Sequence, residues 1–154
     1  MTQWENSPFE LGSDGPTSIL VGVDGSVTSV RAAWYAAGLA RRQKATLTVV
    51  HVGAVAAGLA VPSAAGLEAA RREAEDEVVA DMRRRAEEFS AEMGVRITFV
   101  ATRGDPFSEL TRIAGEIHAD AIVVGASAHV GHRFIGSLAV RLVKAARWPV
   151  TVVP

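Results

Sequence analysis

In a chain without cysteine, chemistry has to come from carboxylates, hydroxyls, histidines and glycine-rich turns. Asp24-Gly25-Ser26 follows directly on the apolar run Ile19–Val23. A carboxylate just past a buried strand is poorly placed for stability and well placed to accept a hydrogen bond from a ligand. It is equally suited to cap the helix that follows. Further on, Gly125 and the pair Gly136-Ser137 frame a loop. Glycine lets backbone N–H groups approach an anion closely, and a helix opening at Ser137 would present free N–H groups with the positive end of its dipole. Those are the requirements of a phosphate site. A turn that merely joins strand to helix would have the same sequence.

Other clusters fail a chemical requirement. Gly131-x4-Gly136-Ser137 has the spacing of a P-loop but neither its lysine nor a strand directly before it. Gly125-Ala-Ser-Ala-His129 has the look of a nucleophile elbow, yet its last position is not glycine. No Asp or Glu follows Asp120 to complete a triad. His129 and His132 stand three apart with no cysteine or nearby carboxylate to complete a metal shell, so they read as polar loop residues. His51, at the end of a strand, reads as a satisfied structural group.

Alternating periods set the elements that must position these residues. Ile19–Val23 is a short apolar run of the kind a strand buried on both faces shows. From Val27 the period turns helical, with Val30, Ala33, Trp34, Ala37 and Ala40 as the expected buried stripe. Ala45–Val52 reads as a strand and 53–66 as a long patternless loop. A long helix follows, with Leu67, Ala70, Ala74, Val78, Met82, Phe89 and Met93 as its expected buried stripe. Glu68/Arg72 and Asp81/Arg85 fall at i,i+4 on its wet side, and Gly94 ends it. Val95–Ala101 alternates as an edge strand does. Asp105 and Pro106 form a helix start ahead of Leu110, Ile113, Ala114 and Ile117. Asp120–Gly125 is another buried strand, followed by a polar loop to about Ile135, a helix to Ala146 and a last strand from Trp148 to Val153. Five strands alternating with four helices predict a parallel α/β sheet wound on both faces.

The chain has 154 residues, enough for one domain. Sixteen Lys+Arg against seventeen Asp+Glu leave a net charge of −1, which gives no footprint for nucleic acid or an anionic membrane. Absent cysteines exclude disulfides, thiolate metal sites and thiol catalysis and suit a cytoplasmic setting. The longest apolar stretch, Val52–Val61, is too short to span a bilayer. Residues 1–17 are polar and turn-rich and read as a poorly ordered arm ahead of a domain at 18–154.

Taken together, Ile19–Ser26, Gly104-Asp-Pro106, Ala119–Gly125, Gly136-Ser137 and Pro149–Val153 resemble the universal stress protein family, in the right order and spacing. The resemblance implies a Rossmann-like five-stranded parallel sheet of order 3-2-1-4-5, of the adenine nucleotide alpha-hydrolase-like type. It also implies a non-enzymatic stress-response protein and a homodimer paired through the last strand, at Val150 and Val152. In the nucleotide-binding branch the loop reads G-x2-G-x9-G-[S/T]. Gly125 matches its first glycine, Gly136-Ser137 its last pair, and the middle glycine falls on Ala128 in a loop two residues shorter. Carried over, Val23, Asp24 and Val52 would meet the base and ribose of ATP, bound with Mg. Gly125, Ala128, Gly136 and Ser137 would form the phosphate loop. The alternative is the branch without ATP, a nucleotide-independent dimeric scaffold for which Ala128 and the short loop would be the mark.

Overall fold

The computed structural model describes residues 15–55, 65–129, 132–134 and 136–154. In chain order its elements are β1 (Ser18–Val23), α1 (Val27–Gln43), β2 (Thr46–Gly53), α2 (Ala65–Met93), β3 (Ile97–Arg103) and α3 (Pro106–Glu116). Then come β4 (Ala121–Gly125), a hairpin of β5 (Ser127–His129) and β6 (His132–Phe134), α4 (Ser137–Ala145) and β7 (Val150–Val153). Five strands pair in parallel in the order β3-β2-β1-β4-β7, the expected 3-2-1-4-5. The segment read as a polar loop after β4 instead forms the antiparallel hairpin β5–β6. Three-residue strands are too short for an alternating pattern to register. Residues 1–14 of the expected arm and 56–64 of the expected loop lie outside the described residues.

The sheet buries both faces. Ile19, Val21, Leu47, Val49 and Val123 pack on one side against Ala32, Ala36 and Ala40 of α1. Leu20, Val50, Ile122 and Val124 pack on the other against Leu110 and Ile113 of α3 and Ala139 and Leu142 of α4. Side chains alternate across a strand, so each strand feeds both cores. The Asp120 carboxylate binds the start of the sheet together: its Oδ2 accepts from the Thr17 N–H (2.8 Å), the Thr17 hydroxyl (3.1 Å) and the Ser18 N–H (2.9 Å). Thr17 is thereby held to the domain.

Two expected stripes are corrected. On α1 the buried residues are Ser29, Ala32, Ala36, Ala37 and Ala40, while Val30 and Trp34 are 46% and 59% exposed. Small side chains let the helix lie close to the sheet, and the adjacent alanines Ala32-Ala33 and Ala36-Ala37 leave the sequence pattern nearly blind to its rotation. On α2 no described residue is buried; Leu67, Ala70, Ala74, Val78 and Met93 are exposed, and Met82 and Phe89 are half-buried. Its wet side is as expected, with Glu68–Arg72 (3.4 Å) and Asp81–Arg85 (2.8 Å) paired, and Gly94 ends it at φ 64°.

Candidate functional site

Strand order reverses between β1 and β4, and a cleft of about 330 Å³ opens beyond their carboxyl ends. In open parallel sheets this is the place where ligands bind. Val50, Val52, Leu110 and Val124 supply an apolar wall, and Asp24, Ser26, Thr28, Ser127 and Ser137 supply polar groups. The structure therefore gathers Val23, Asp24, Val52, Gly125, Gly136 and Ser137 around one cavity. Ala128 is not on its wall; it pairs with Arg133 in the hairpin, and its side chain lies outside the described residues. The side chains of His129, His132 and Arg133 lie there as well. Ser127 and Thr28, which also line the cleft, were missed: Ser127 fell inside a segment read as loop, and Thr28 inside a helix start.

Asp24 does not cap α1. Ser26 does, its hydroxyl accepting from the Ser29 N–H at 3.2 Å. Asp24 Oδ1 instead accepts from the Ser26 N–H at 2.9 Å and closes the turn after β1. Burial by itself would raise the Asp24 pKa; hydrogen bonds from Ser26 and Ser29 outweigh it and leave the carboxyl below its usual range. At neutral pH the cleft thus holds a fixed anion, exposed at the rim, that can accept from a ligand's hydroxyls. His51 is buried, with Nδ1 3.0 Å from the Val23 carbonyl oxygen. A carbonyl can only accept, so Nδ1 carries the proton and His51 serves the β1–β2 seam.

The start of α4 lines the same cleft as Asp24. Gly136 occupies the cap position, at φ −62° and ψ 159°, with no side-chain hydrogen bond to the first turn. The Val140 N–H is the first to return to the Gly136 carbonyl, at 3.1 Å. The N–H groups of Ser137, Leu138 and Ala139 come before any intrahelical partner, and these residues line the cleft. The starts of α1 and α3 are closed by Ser26 and Asp105. Asp105 also binds Arg141 through both carboxylate oxygens, at 3.0 and 3.2 Å, and the Arg141 guanidinium lies 4.4 Å above the Phe107 ring. Hydrogen bonds from Arg141 and Ser108 hold the Asp105 pKa down to about 2. That cluster ties the start of α3 to α4, and residues of both helices line the cleft.

Both framing glycines have a packing reason of their own. A Cβ on Gly125 would lie 2.5 Å from the Thr28 carbonyl carbon and 2.6 Å from the Ser29 nitrogen. The first turn of α1 therefore rests directly on the end of β4. A Cβ on Gly136 would lie 2.8 Å from that of Ser127, where the hairpin crosses α4's entrance. Among the described residues no cluster of three or more His, Asp or Glu could hold a metal ion.

Comparison with known proteins extends this geometry. Residues 16–154 match the model of the universal stress protein family. A universal stress protein of Methanocaldococcus jannaschii, MJ0531, is 29% identical over 153 residues, covering 96% of this chain and 88% of that protein. A structure from the same family in Burkholderia pseudomallei is 32% identical, with a TM-score of 0.68 over 93% of this chain and 98% of its own. UspA from Lactobacillus plantarum is 27% identical, with a TM-score of 0.76 over 90% of this chain and 97% of its own. Two relatives of the same fold, each 23% identical, are nucleotide complexes: a universal stress protein with cAMP (TM-score 0.65, covering 90% of this chain and 96% of its own), and one from Archaeoglobus fulgidus with dAMP (TM-score 0.56, covering 90% and 98%).

Proposed function

The chain belongs to the universal stress protein family, and on that premise we propose that it is a cytoplasmic, homodimeric regulatory protein that binds an adenine nucleotide in the switch-point cleft. The single observation that carries this reading is the start of α4, without a side-chain cap, lining the same apolar-walled cavity as the anionic Asp24. The cleft volume lies at the lower end of the range for small-molecule sites. The nucleoside fits between Val23, Val52 and Leu110, with its ribose hydroxyls donating to Asp24. Phosphate meets the N–H groups at Ser137 and Leu138 and the Ser137 hydroxyl. MgATP is the ligand carried over from the family pattern, the metal arriving with the phosphates; the cAMP and dAMP complexes of relatives support the adenine end of the assignment. No catalytic role is assigned to any residue. None of the described helices is long and apolar enough to cross a membrane.

Dimerisation is proposed through β7. It lies at the sheet edge, pairing with β4. The Pro149 carbonyl accepts from the Ile122 N–H of β4 and the Val153 carbonyl from the Ala126 N–H just past it, so the alternate residues Val150 and Val152 turn their backbone outward. An apolar strand with an open edge calls for a partner strand.

Ser137→Pro is the sharpest test of the nucleotide site. Proline is tolerated at the first helical position, and Gly136 already has the extended ψ that a residue before proline needs. The variant should fold as well as the parent while losing one N–H and one hydroxyl from the cleft. A charge-assisted hydrogen bond contributes about 1.5–3 kcal/mol, so nucleotide affinity should fall roughly 10- to 100-fold. Unchanged affinity would remove α4 from the site. The second reading, a nucleotide-independent scaffold, is favoured by the packing duty of Gly125 and Gly136, which would preserve both glycines without any ligand. The absence of any thermal shift with millimolar MgATP, AMP or cAMP would select it.

A further inference from the structure

Helix α2 runs for 29 residues, and none of its described residues is buried. It is held to the domain along one stripe. Glu75, Met82 and Phe89 stand seven apart, about two turns each time, and so share a face. Arg103, at the end of β3, binds Glu75 at 3.5 Å and Asp76 at 3.4 Å. Phe89 meets Trp34 of α1 edge-on, ring centres 4.7 Å apart. Met82 lies between these two ties, and its methyl group touches the turn after β1. A Cβ built on Gly25 would lie 3.3 Å from Met82 Cε, and among the described residues no other atom beyond the chain neighbours comes within 4 Å.

Gly25 has φ 83°, a left-handed conformation that glycine takes without a Cβ penalty. It brings no side chain to fix that conformation, so the turn has to be held from outside. On the cleft side the Ser26 N–H donates to Asp24 Oδ1 at 2.9 Å, and the Asp24 N–H donates to the Ser29 hydroxyl at 3.3 Å. On its other side the turn backs onto an apolar cavity of about 200 Å³, whose walls include Val23, Gly25, Met82 and Phe89. Val23 lines both this cavity and the switch-point cleft. The end of β1 and its turn are thus a thin partition, and Met82 supports it from behind.

We propose that Met82 is a positioning residue for Asp24: pressed on Gly25, it holds the turn and with it the direction of the carboxylate. An unbranched, adaptable side chain suits contact with a bare Cα. Without it Gly25 regains conformational freedom, the Asp24–Ser26 hydrogen bond loosens, and the carboxylate no longer points one way. The ribose as Asp24's target rests on the nucleotide reading of the cleft; the contact with Gly25 does not.

The test uses the full chain with Met82→Ala, Met82→Leu and Phe89→Ala. Met82 is half-buried and alanine is the better helix former, so Met82→Ala keeps the fold. In the ligand-free protein the Ser26 amide, followed by NMR, should exchange roughly tenfold faster in Met82→Ala and lose its hydrogen-bonded shift. Met82→Leu keeps the apolar volume and should restore most of both. Phe89→Ala removes a larger side chain from the same stripe and should leave Ser26 as in the parent. An Asp24 acceptor aimed at the ribose should favour AMP over 2′-deoxy-AMP by roughly tenfold in the parent, and Met82→Ala should erase that preference. A Ser26 amide unmoved by Met82→Ala, moved as far by Phe89→Ala, or unrestored by Met82→Leu would overturn the proposal. So would a ribose preference that survives Met82→Ala. The Ser26 response in a chain that binds neither nucleotide, or both equally, would uphold the positioning contact and overturn the ribose reading of the cleft alone.

Discussion

Replacing Gly125 with alanine separates the packing duty of the cleft's glycine frame from any ligand duty. The new Cβ would sit 2.5 Å from the Thr28 carbonyl carbon, 2.6 Å from the Ser29 nitrogen and 2.7 Å from the Thr28 oxygen. All three are backbone atoms of a capped helix start, so no flexible side-chain end can swing aside. Normal carbon contacts lie near 3.5–4.0 Å, so α1 or β4 must move by about 1 Å. Ser29, Ala32 and Ala36 of the same helix are buried, and the shift spreads into that core. Overpacking of this kind costs roughly 1–3 kcal/mol, and backbone-on-backbone contact argues for the upper end. In a domain of this size 1 kcal/mol moves the melting temperature by about 2–4 °C, so Gly125→Ala should melt roughly 6–12 °C lower. The assay is calorimetry or urea unfolding with no nucleotide present. Gly115→Ala, in exposed helix with nothing within 4 Å of the added carbon, is the control, and should raise stability by about 0.5–1 kcal/mol. If Gly125→Ala melted within a degree of the parent without ligand, the close approach of α1 to β4 would be refuted.

Asp120→Ala removes an acceptor shared by the Thr17 and Ser18 N–H groups and the Thr17 hydroxyl; denaturant titration should show a loss of about 2 kcal/mol. The Asp105 pKa, about 2 in the folded protein, lies below its unfolded value near ~4. Its contribution is therefore fully present above pH ~4 and is lost as pH falls toward 2. Urea midpoints of the parent and of Asp105→Asn should accordingly differ at pH 6 and converge near pH 2; a constant difference would contradict the Arg141 pairing. Val152→Pro deletes an outward N–H of β7 while leaving the ladder to β4 intact; if the chain pairs through β7 as proposed, the variant should sediment as a monomer without loss of the fold, where the parent sediments as a dimer.

The five sheet strands and all four helices were legible because each apolar run is bounded by turn chemistry and each crossover is long enough for a helix; the strand order came only with the family resemblance. Asp105-Pro106 announced the start of α3 outright, and the i,i+4 pairs marked the wet side of α2. The rotation of α1 was not legible: the adjacent alanines Ala32-Ala33 and Ala36-Ala37 give no contrast between the sheet side and the α2 side, and Trp34 looked like core. The stripe on α2 was overread, because an apolar residue every third or fourth position specifies a face and not that anything covers it. In the candidate site Val23, Asp24, Val52, Gly125, Gly136 and Ser137 all reach the cleft, since the topology sends the ends of β1, β2 and β4 to one side of the sheet. What the residues could not disclose was division of labour. Ser26 rather than Asp24 caps α1, and Gly125 answers to Thr28 and Ser29, contacts almost a hundred positions away in the chain.

That long-range contact bears on synthesis as well as on stability. The cleft lies on the seam between β1 and β4. One wall comes from residues before 53 and the other from residues after 105. A nascent chain therefore has no binding site until its last third docks. Ligand binding at this seam would register completed folding, and a nucleotide in the cell would act as a late clamp joining the two parts of the chain.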